Sequence, residues 1–202
     1  MNIQNKTILI TGANRGIGWA LVNEALRRGA NRVYAGTRSG ALENSDSRVK
    51  SLTLDVTNTA QIQAAVQKVE SLDVLINNAG VALYDDLTDR ASLEQSLAVN
   101  FFGMHGVTQA FLPILRRSKG AIVNNLSLVA LAPLPIIPGY SISKAAAANM
   151  TQSLRAPSTS ACCLARPRWF KSTRARRSSS WVEATSDASS CSEAPVSARL
   201  EI

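Results

Sequence analysis

Tyr140 and Lys144 stand four residues apart in Gly139-Tyr140-Ser141-Ile142-Ser143-Lys144-Ala145. Ala145 to Ala148, Met150 and Leu154 continue a helical pattern, so the two side chains share one helix face. A phenol is a poor acid or base at neutral pH. An ammonium about 4 Å away in a semi-polar site contributes up to about 4 kcal/mol to stabilising its anion. Such a pair can give a proton to a reacting oxygen and take it back, and the same ammonium can hold ribose hydroxyls. Ser127, thirteen residues earlier at the end of the strand-like run Gly120–Leu126, can donate to that oxygen. Asn100 places a short amide inside an apolar helical pattern from Ser92 to Arg117, where it tends to divert backbone bonds. Alone, an amide so placed is more often an inert polar position than a functional one, and a Tyr/Lys pair at this spacing is common. His105, the one histidine, has no visible partner and no assigned role.

The pair gains weight from the other end of the chain. Thr11-Gly12-Ala13-Asn14-Arg15-Gly16-Ile17-Gly18 follows the apolar run Thr7-Ile8-Leu9-Ile10 and opens a segment with apolar residues at Ile17, Ala20, Leu21, Ala25 and Leu26. That is a strand, a glycine turn and a helix start. Gly12 suits the tight turn, Gly16 lets the backbone approach a pyrophosphate, and Gly18 lets the helix lie close to the strand. The amides and positive dipole end of the helix then face phosphates.

Further strands are expected at Arg32–Gly36, Val49–Leu54 and Leu72–Ile76, with a stunted crossover between the first two. A helix capped by Thr57 or Asn58 precedes the third. The run Gly36-Thr37-Arg38-Ser39 has no acidic residue at the place that would bind an adenosine 2′-hydroxyl. Arg38 beside Arg15 suits a 2′-phosphate, so NADP is favoured over NAD, although two solvated surface arginines would read the same. Asp55, with Val56, sits at a strand's carboxyl end, where its carboxylate can accept from an adenine amino group. Asn77-Asn78-Ala79-Gly80 follows the next strand with small residues and amides able to bridge neighbouring strands. Five alternations of strand and helix argue for an α/β fold with a doubly wound parallel sheet in three αβα layers.

These motifs together resemble the short-chain dehydrogenase/reductase family. The residues that carry the likeness are Thr11 to Gly18, Asp55-Val56, Asn77 to Gly80, Asn100, Ser127 and Tyr140 with Lys144, in the family's order, over about residues 5 to 155. The resemblance implies a Rossmann-type subunit that moves a hydride between NAD(P) and a carbonyl or alcohol substrate. By position it makes Tyr140 the acid/base, Lys144 the ribose anchor that activates it, Ser127 the substrate-orienting group and Asn100 the holder of a relay water. Gly12, Asn14, Arg15, Gly16, Ile17, Gly18, Arg38, Asp55, Val56, Asn78, Ala79 and Gly80, with Tyr140 and Lys144, become the cofactor-binding set. It also implies a homodimer or homotetramer built on the helices of Asn100 and Tyr140.

The bulk numbers set limits. The 202 residues carry 22 basic and 14 acidic side chains, a net charge of +8. Residues 156–202 hold seven basic and four acidic residues, three of those eight charges. The remainder is a mild excess that a phosphate-bearing cofactor can use, without nucleic acid. No run of eighteen apolar residues and no signal pattern at Met1-Asn2-Ile3-Gln4-Asn5-Lys6 is present, so a cytoplasmic chain without membrane partners is expected. Cys162, Cys163 and Cys191 have neither disulfide-framework nor metal-ligand spacing, and no metal is expected.

The division at Arg155 is sharp. Residues 1–155 read as the dinucleotide-binding domain with the catalytic groups, and 156–202 as a Ser/Arg/Ala-rich segment with eleven serines, no glycine and no sustained period. The family's last two strands are not visible in it. It reads as disordered or as a frame-altered version of the family's carboxyl terminus, which would leave an edge of the sheet bare. A basic interaction segment with Trp169, Phe170 and Trp181 among its arginines is the competing reading. Two functions therefore stand: an NADP-dependent carbonyl reductase or alcohol dehydrogenase, and a nucleotide-binding remnant of the same family without turnover. Epimerase or dehydratase chemistry on nucleotide sugars uses the same pair but needs a larger substrate domain. The apolar loop Leu128–Pro138 points only to an apolar substrate.

Overall fold

The computed structural model describes residues 2–39, 42 and 46–155, together with the backbone of 197–201. The apolar runs become short parallel strands: β1 (Thr7–Thr11), β2 (Arg32–Thr37), β3 (Val49–Thr53), β4 (Val74–Asn77) and β5 (Ala121–Asn125). Helices α1 (Gly16–Arg27), α2 (Thr59–Lys68), α3 (Arg90–Leu97), α4 (Met104–Ser118) and α5 (Pro138–Leu154) connect or follow them. No helix lies between β2 and β3 among the described residues. The strand order is β3-β2-β1-β4-β5-β6, all neighbours parallel, where β6 is Ser197–Glu201. This is the expected doubly wound sheet, and the order reverses between β1 and β4, which opens a ligand crevice at their carboxyl ends.

Period-two alternation divides the core between the two faces. On β1, Leu9 joins Leu75, Phe111, Val107 and Ile62 on the side of α2 and α4, while Ile8 and Ile10 join Val22, Ala25 and Val33 on the side of α1. Burial on both faces explains why β1 and β4 read as continuous apolar runs, whereas β3, at the edge, buries only Leu52 and exposes Lys50, Ser51 and Thr53.

Two features differ from the sequence expectation. The single helix expected over Ser92–Arg117 is three segments, in which α3 passes into a π-helical stretch, Ala98–Gly103, before α4 begins. Asn100 sits in that widened turn, a local geometry that recurs at functional sites. The second difference is β6. Its backbone pairs with β5 from Ala121↔Ser197 to Asn125↔Glu201, covering the edge that was expected to be bare. Ladder bonds are made by backbone groups that every residue except proline carries in full, so a short extended segment suffices. The signal was present in the alternation of Val196, Ala198, Leu200 and Ile202 with Ser197, Arg199 and Glu201. The remaining expectation for the tail, over 156–196, lies outside the described residues.

Candidate active site

At the carboxyl end of β1 the chain turns through Gly12 (φ +64°) and Gly16 (φ +53°), conformations that favour glycine. A Cβ on Gly12 would come within 2.9 Å of the Ala79 Cα, and one on Gly18 would collide with the Gly12 carbonyl oxygen. A Cβ on Gly16 would meet nothing within 4 Å, because that side of the turn faces open space. Arg15, the N-cap of α1, makes no capping bond with its side chain, and the first turn holds no acidic residue. Asn14, Arg15, Gly16 and Ile17 are exposed, Ile17 by 64%. The structure thus presents an uncapped helix N-terminus beside a glycine cradle, and these residues fit a dinucleotide's phosphates.

The segment after β4 closes over this turn. Thr11 Oγ1 accepts from the amides of Asn78 and Ala79 at 3.0 Å each. Asn78 Nδ2 donates to Thr11 O at 3.0 Å and Gly12 O at 3.3 Å, and Asn78 Oδ1 accepts from Asn125 Nδ2 at 3.0 Å. On the other flank, Arg38 is exposed just beyond β2. Burial raises the Asp55 carboxyl, but the Thr57 hydroxyl and amide and the Arg38 charge outweigh it and hold the group below its ordinary value. Asp55 Oδ1 accepts both Thr57 bonds, at 2.7 and 2.9 Å. Val56 is buried, in line with a side chain that packs rather than reaches.

The second group gathers on α5. Lys144 is only 6% exposed, and its Nζ donates to Asn125 O at 2.9 Å. The nitrogen lies 5.6 Å from the Tyr140 ring centroid, so the helical spacing brings the pair together as expected. Burial pushes the Lys144 ammonium down to about 8. The cation is therefore fully present only below that pH, a limit that spacing alone does not reveal.

Asn100, 2% exposed, holds the backbone of Val81 with both ends of its amide: Oδ1 accepts from the amide at 2.9 Å and Nδ2 donates to the carbonyl at 2.8 Å. Nδ2 also donates to Ser143 Oγ at 2.9 Å, and that hydroxyl donates to Tyr140 O at 2.7 Å. A Cβ on Gly80 would lie 3.1 Å from Asn100 Oδ1 and 3.7 Å from Lys144 Nζ, so Gly80 forms the floor between them. Ser127 lies two residues beyond β5 in extended conformation, and its Oγ accepts from the Val129 amide at 3.4 Å, leaving its own hydrogen to donate.

Asn78 and Asn125 join the two groups, one touching the glycine turn and the other holding Lys144. Asn125 and Ser143 carry contacts that the sequence reading missed. Ser143 adjoins Lys144 in the chain, but nothing in its type announced a bond to an amide 43 residues away. Beneath the site, Asn77 Nδ2 donates to Asn124 Oδ1 and Thr108 Oγ1, and Asn124 Nδ2 to Thr151 Oγ1, tying α4 and α5 to the central strands. An open cleft of about 610 Å³ lies nearby between Tyr84, Asp85, Asp86, Asp89 and Ser92 on one side and Pro135 and Ile136 on the other. No helix among the described residues is long and apolar enough to cross a membrane.

Known proteins share this architecture. A short chain dehydrogenase from Burkholderia cenocepacia J2315, solved in complex with NADP, is 38% identical, with a TM-score of 0.75 over 77% of this chain and 68% of that one. The aldohexose dehydrogenase of Thermoplasma acidophilum is 27% identical, with a TM-score of 0.69 over 77% of this chain and 63% of its own. The 2-(S)-hydroxypropyl-CoM dehydrogenase 3 of Xanthobacter autotrophicus is 34% identical over 168 residues, 76% of this chain and 66% of the relative. Rat (Rattus norvegicus) estradiol 17-beta-dehydrogenase 2 is 34% identical over 169 residues, 76% of this chain and 44% of the relative. The chain thus spans about half to two thirds of the length of these two curated relatives. The sequence pattern of the short chain dehydrogenases matches residues 6–161, over the glycine turn, the Asn-Asn-Ala-Gly segment and the Tyr140/Lys144 helix alike, and the chain belongs to that family.

Proposed function

We propose that this chain is an NADP(H)-dependent oxidoreductase that interconverts a carbonyl compound and its alcohol. The observation that carries the reading is the buried Lys144 ammonium, fixed on Asn125 and set against the Tyr140 ring. NADP(H), when bound, supplies or accepts the hydride. The Burkholderia relative was solved with NADP, and the glycine cradle here has the open face such a ligand needs.

The uncapped amides of α1 and the turn at Gly16 hold the pyrophosphate, while Arg15 and Arg38 take the 2′-phosphate. Asp55 and Val56 receive the adenine, and Asn78, Ala79 and Gly80 line the floor. Lys144 has donors beyond the one given to Asn125, and these hold ribose hydroxyls. Ser127 donates to the substrate oxygen and orients it, and Tyr140 gives its phenolic proton to that oxygen in reduction and recovers it in oxidation. The Lys144 charge offsets the negative charge left on the Tyr140 oxygen. Asn100 secures Val81 and Ser143 on either side, and the family resemblance adds a relay water there that returns the proton. Exposed Leu128, Leu131, Leu134 and Ile136 favour an apolar substrate. A homodimer or homotetramer would cover Phe102 and Ile142, which are 60% and 43% exposed on the two helices that the resemblance assigns to subunit contact.

NADPH oxidation followed across aldehydes, ketones and quinones tests the reading. Turnover is expected with at least one class, and Tyr140→Phe should lower it by about 10³-fold while leaving NADPH affinity within threefold. Unchanged turnover in Tyr140→Phe, or a melting curve indifferent to saturating NADPH, would defeat it. One observation favours a second reading, a nucleotide-binding remnant: the family match stops at residue 161. Binding of NADPH without turnover across the whole panel selects that reading.

A further inference from the structure

Helix α5 begins at Pro138, and its N-cap, Ile137, has no side chain able to accept a bond. No acidic residue lies in its first turn. The cap comes instead from far along the chain. The Gly139 amide donates to both oxygens of the Asp85 carboxylate, at 3.3 and 3.2 Å, across 54 residues. Asp85 lies on the loop after β4, where the same carboxylate also accepts from the Leu87 amide at 3.2 Å. It is half-buried and lines the 610 Å³ cleft. The contact also explains the residue type at 139. A Cβ there would stand 2.9 Å from Asp85 Oδ2 and 3.4 Å from its Cγ, so a larger residue would make the carboxylate shift from its place on the amide. The next residue is Tyr140.

We propose that Asp85 is a positioning residue: a remote N-cap that fixes the first turn of α5 and thereby holds the Tyr140 hydroxyl within hydrogen-bond reach of the substrate oxygen. The carboxylate completes an otherwise uncapped helix start and suits the positive end of the helix dipole. It also ties that turn to the wall of the cleft, so the proton donor and the cleft share one anchor. The proposal rests on Tyr140 acting as the proton donor. Its consequence is a division of labour along α5, in which Lys144 is held by Asn125 and the turn that carries Tyr140 is held by Asp85 through the Gly139 amide.

Three variants and two readouts test this. Asp85→Ala is expected to lower kcat at least tenfold, because small misplacements of a reacting group are costly, with NADPH affinity unchanged. Asp85→Asn keeps an acceptor oxygen and should recover kcat to within about threefold of the parent, a rescue that a charge-only or general folding effect would not give. Gly139→Ala, whose methyl displaces the carboxylate, should reproduce the loss. Combined with Asp85→Ala it should add little, since both break one contact. The second readout is hydrogen exchange at the Gly139 amide, expected to quicken at least tenfold in Asp85→Ala. An Asp85→Ala enzyme with kcat within twofold of the parent overturns the proposal. So does an Asp85→Asn enzyme as impaired as Asp85→Ala, or unchanged Gly139 protection. Should Asp85→Ala not fold, Gly139→Ala and Asp85→Asn decide by the same criteria. If the parent chain turns nothing over, the proposed function fails, and the exchange rate at Gly139 still decides whether the cap exists.

Discussion

Helices α1 and α5 both start behind residues that cannot cap them, Arg15 and Ile137, and the fold treats the two starts in opposite ways. At α1 the first turn is left bare: no side chain caps it, no acid lies in it, and the flanking residues are exposed. At α5 a carboxylate is brought in from the loop after β4. A third pattern appears at α2 and α3, whose own N-caps Asn58 and Asp89 accept from Gln61 and Ala91. An open helix end is useful where an exchangeable anion must bind, and a closed one where a side chain must stay put. The two starts, proposed to take the cofactor and to hold the proton donor, differ in this respect, although both follow the carboxyl ends of parallel strands.

The comparison can be broken first at the open end. In Gly18→Ala the new methyl must displace the Gly12 carbonyl, so the turn loses its shape. NADPH affinity should drop more than a hundredfold and the fold should lose about 2–3 kcal/mol, read by titration and by urea unfolding. Normal NADPH binding in this variant would mean that the turn is not the cradle.

The closed end is tested by Lys144→Met. Turnover should fall about a hundredfold, and for the parent the rate of carbonyl reduction should decline as pH rises past about 8, where the buried ammonium loses its proton. The stability effect has the opposite sense. Burial lowers this group from 10.5 to about 8, so between those values the unfolded chain holds a proton that the folded one has released. Its contribution to stability is thus least favourable below pH 8 and improves as pH rises to 10.5. Lys144→Met should melt at or above the parent at pH 7, and that margin should vanish toward pH 10.5. A margin independent of pH would contradict the burial penalty.

A smaller effect is expected at the flank of the open end. Arg38→Ala should raise the KM for NADPH about tenfold, or 1.4 kcal/mol, and leave that for NADH unchanged. An equal effect on both cofactors would remove Arg38 from 2′-phosphate recognition. The smallest effect belongs to the locally capped helix. Asn58→Ala should cost about 1 kcal/mol of stability and leave kcat untouched, since α2 starts beside Asp55 and away from Tyr140 and Lys144.

How far the residues alone could be followed varies with distance along the chain. Gly12, Gly16 and Gly18 were legible because strand, turn and helix lie within a dozen residues, so spacing carries the geometry. Tyr140 and Lys144 were legible because one helical turn joins them. The Asp85 cap was not, because it closes across 54 residues and its local text, Tyr84-Asp85-Asp86-Leu87-Thr88-Asp89, offers three equivalent carboxylates. The π-helical turn at Asn100 was half legible: the amide stood out, but its bonds to Val81 and Ser143 depend on where α3 and α5 pack. β6 had a visible alternation that was too short to stand out against the serine-rich run before it.

By itself the sequence determined the periodic elements, the parallel sheet and the two clusters of chemistry, since hydrophobic period, glycine placement and i, i+4 spacing act over short distances that need no partner. Tertiary structure alone decided what those clusters mean to each other. It set the Asn78–Asn125 link between cradle and ammonium, the burial that weakens the Lys144 charge, and the carboxylate that anchors the first turn of α5. The reason is physical: desolvation and long-range hydrogen bonds exist only once remote segments have been packed together, and no local pattern encodes which of several similar side chains will be nearest.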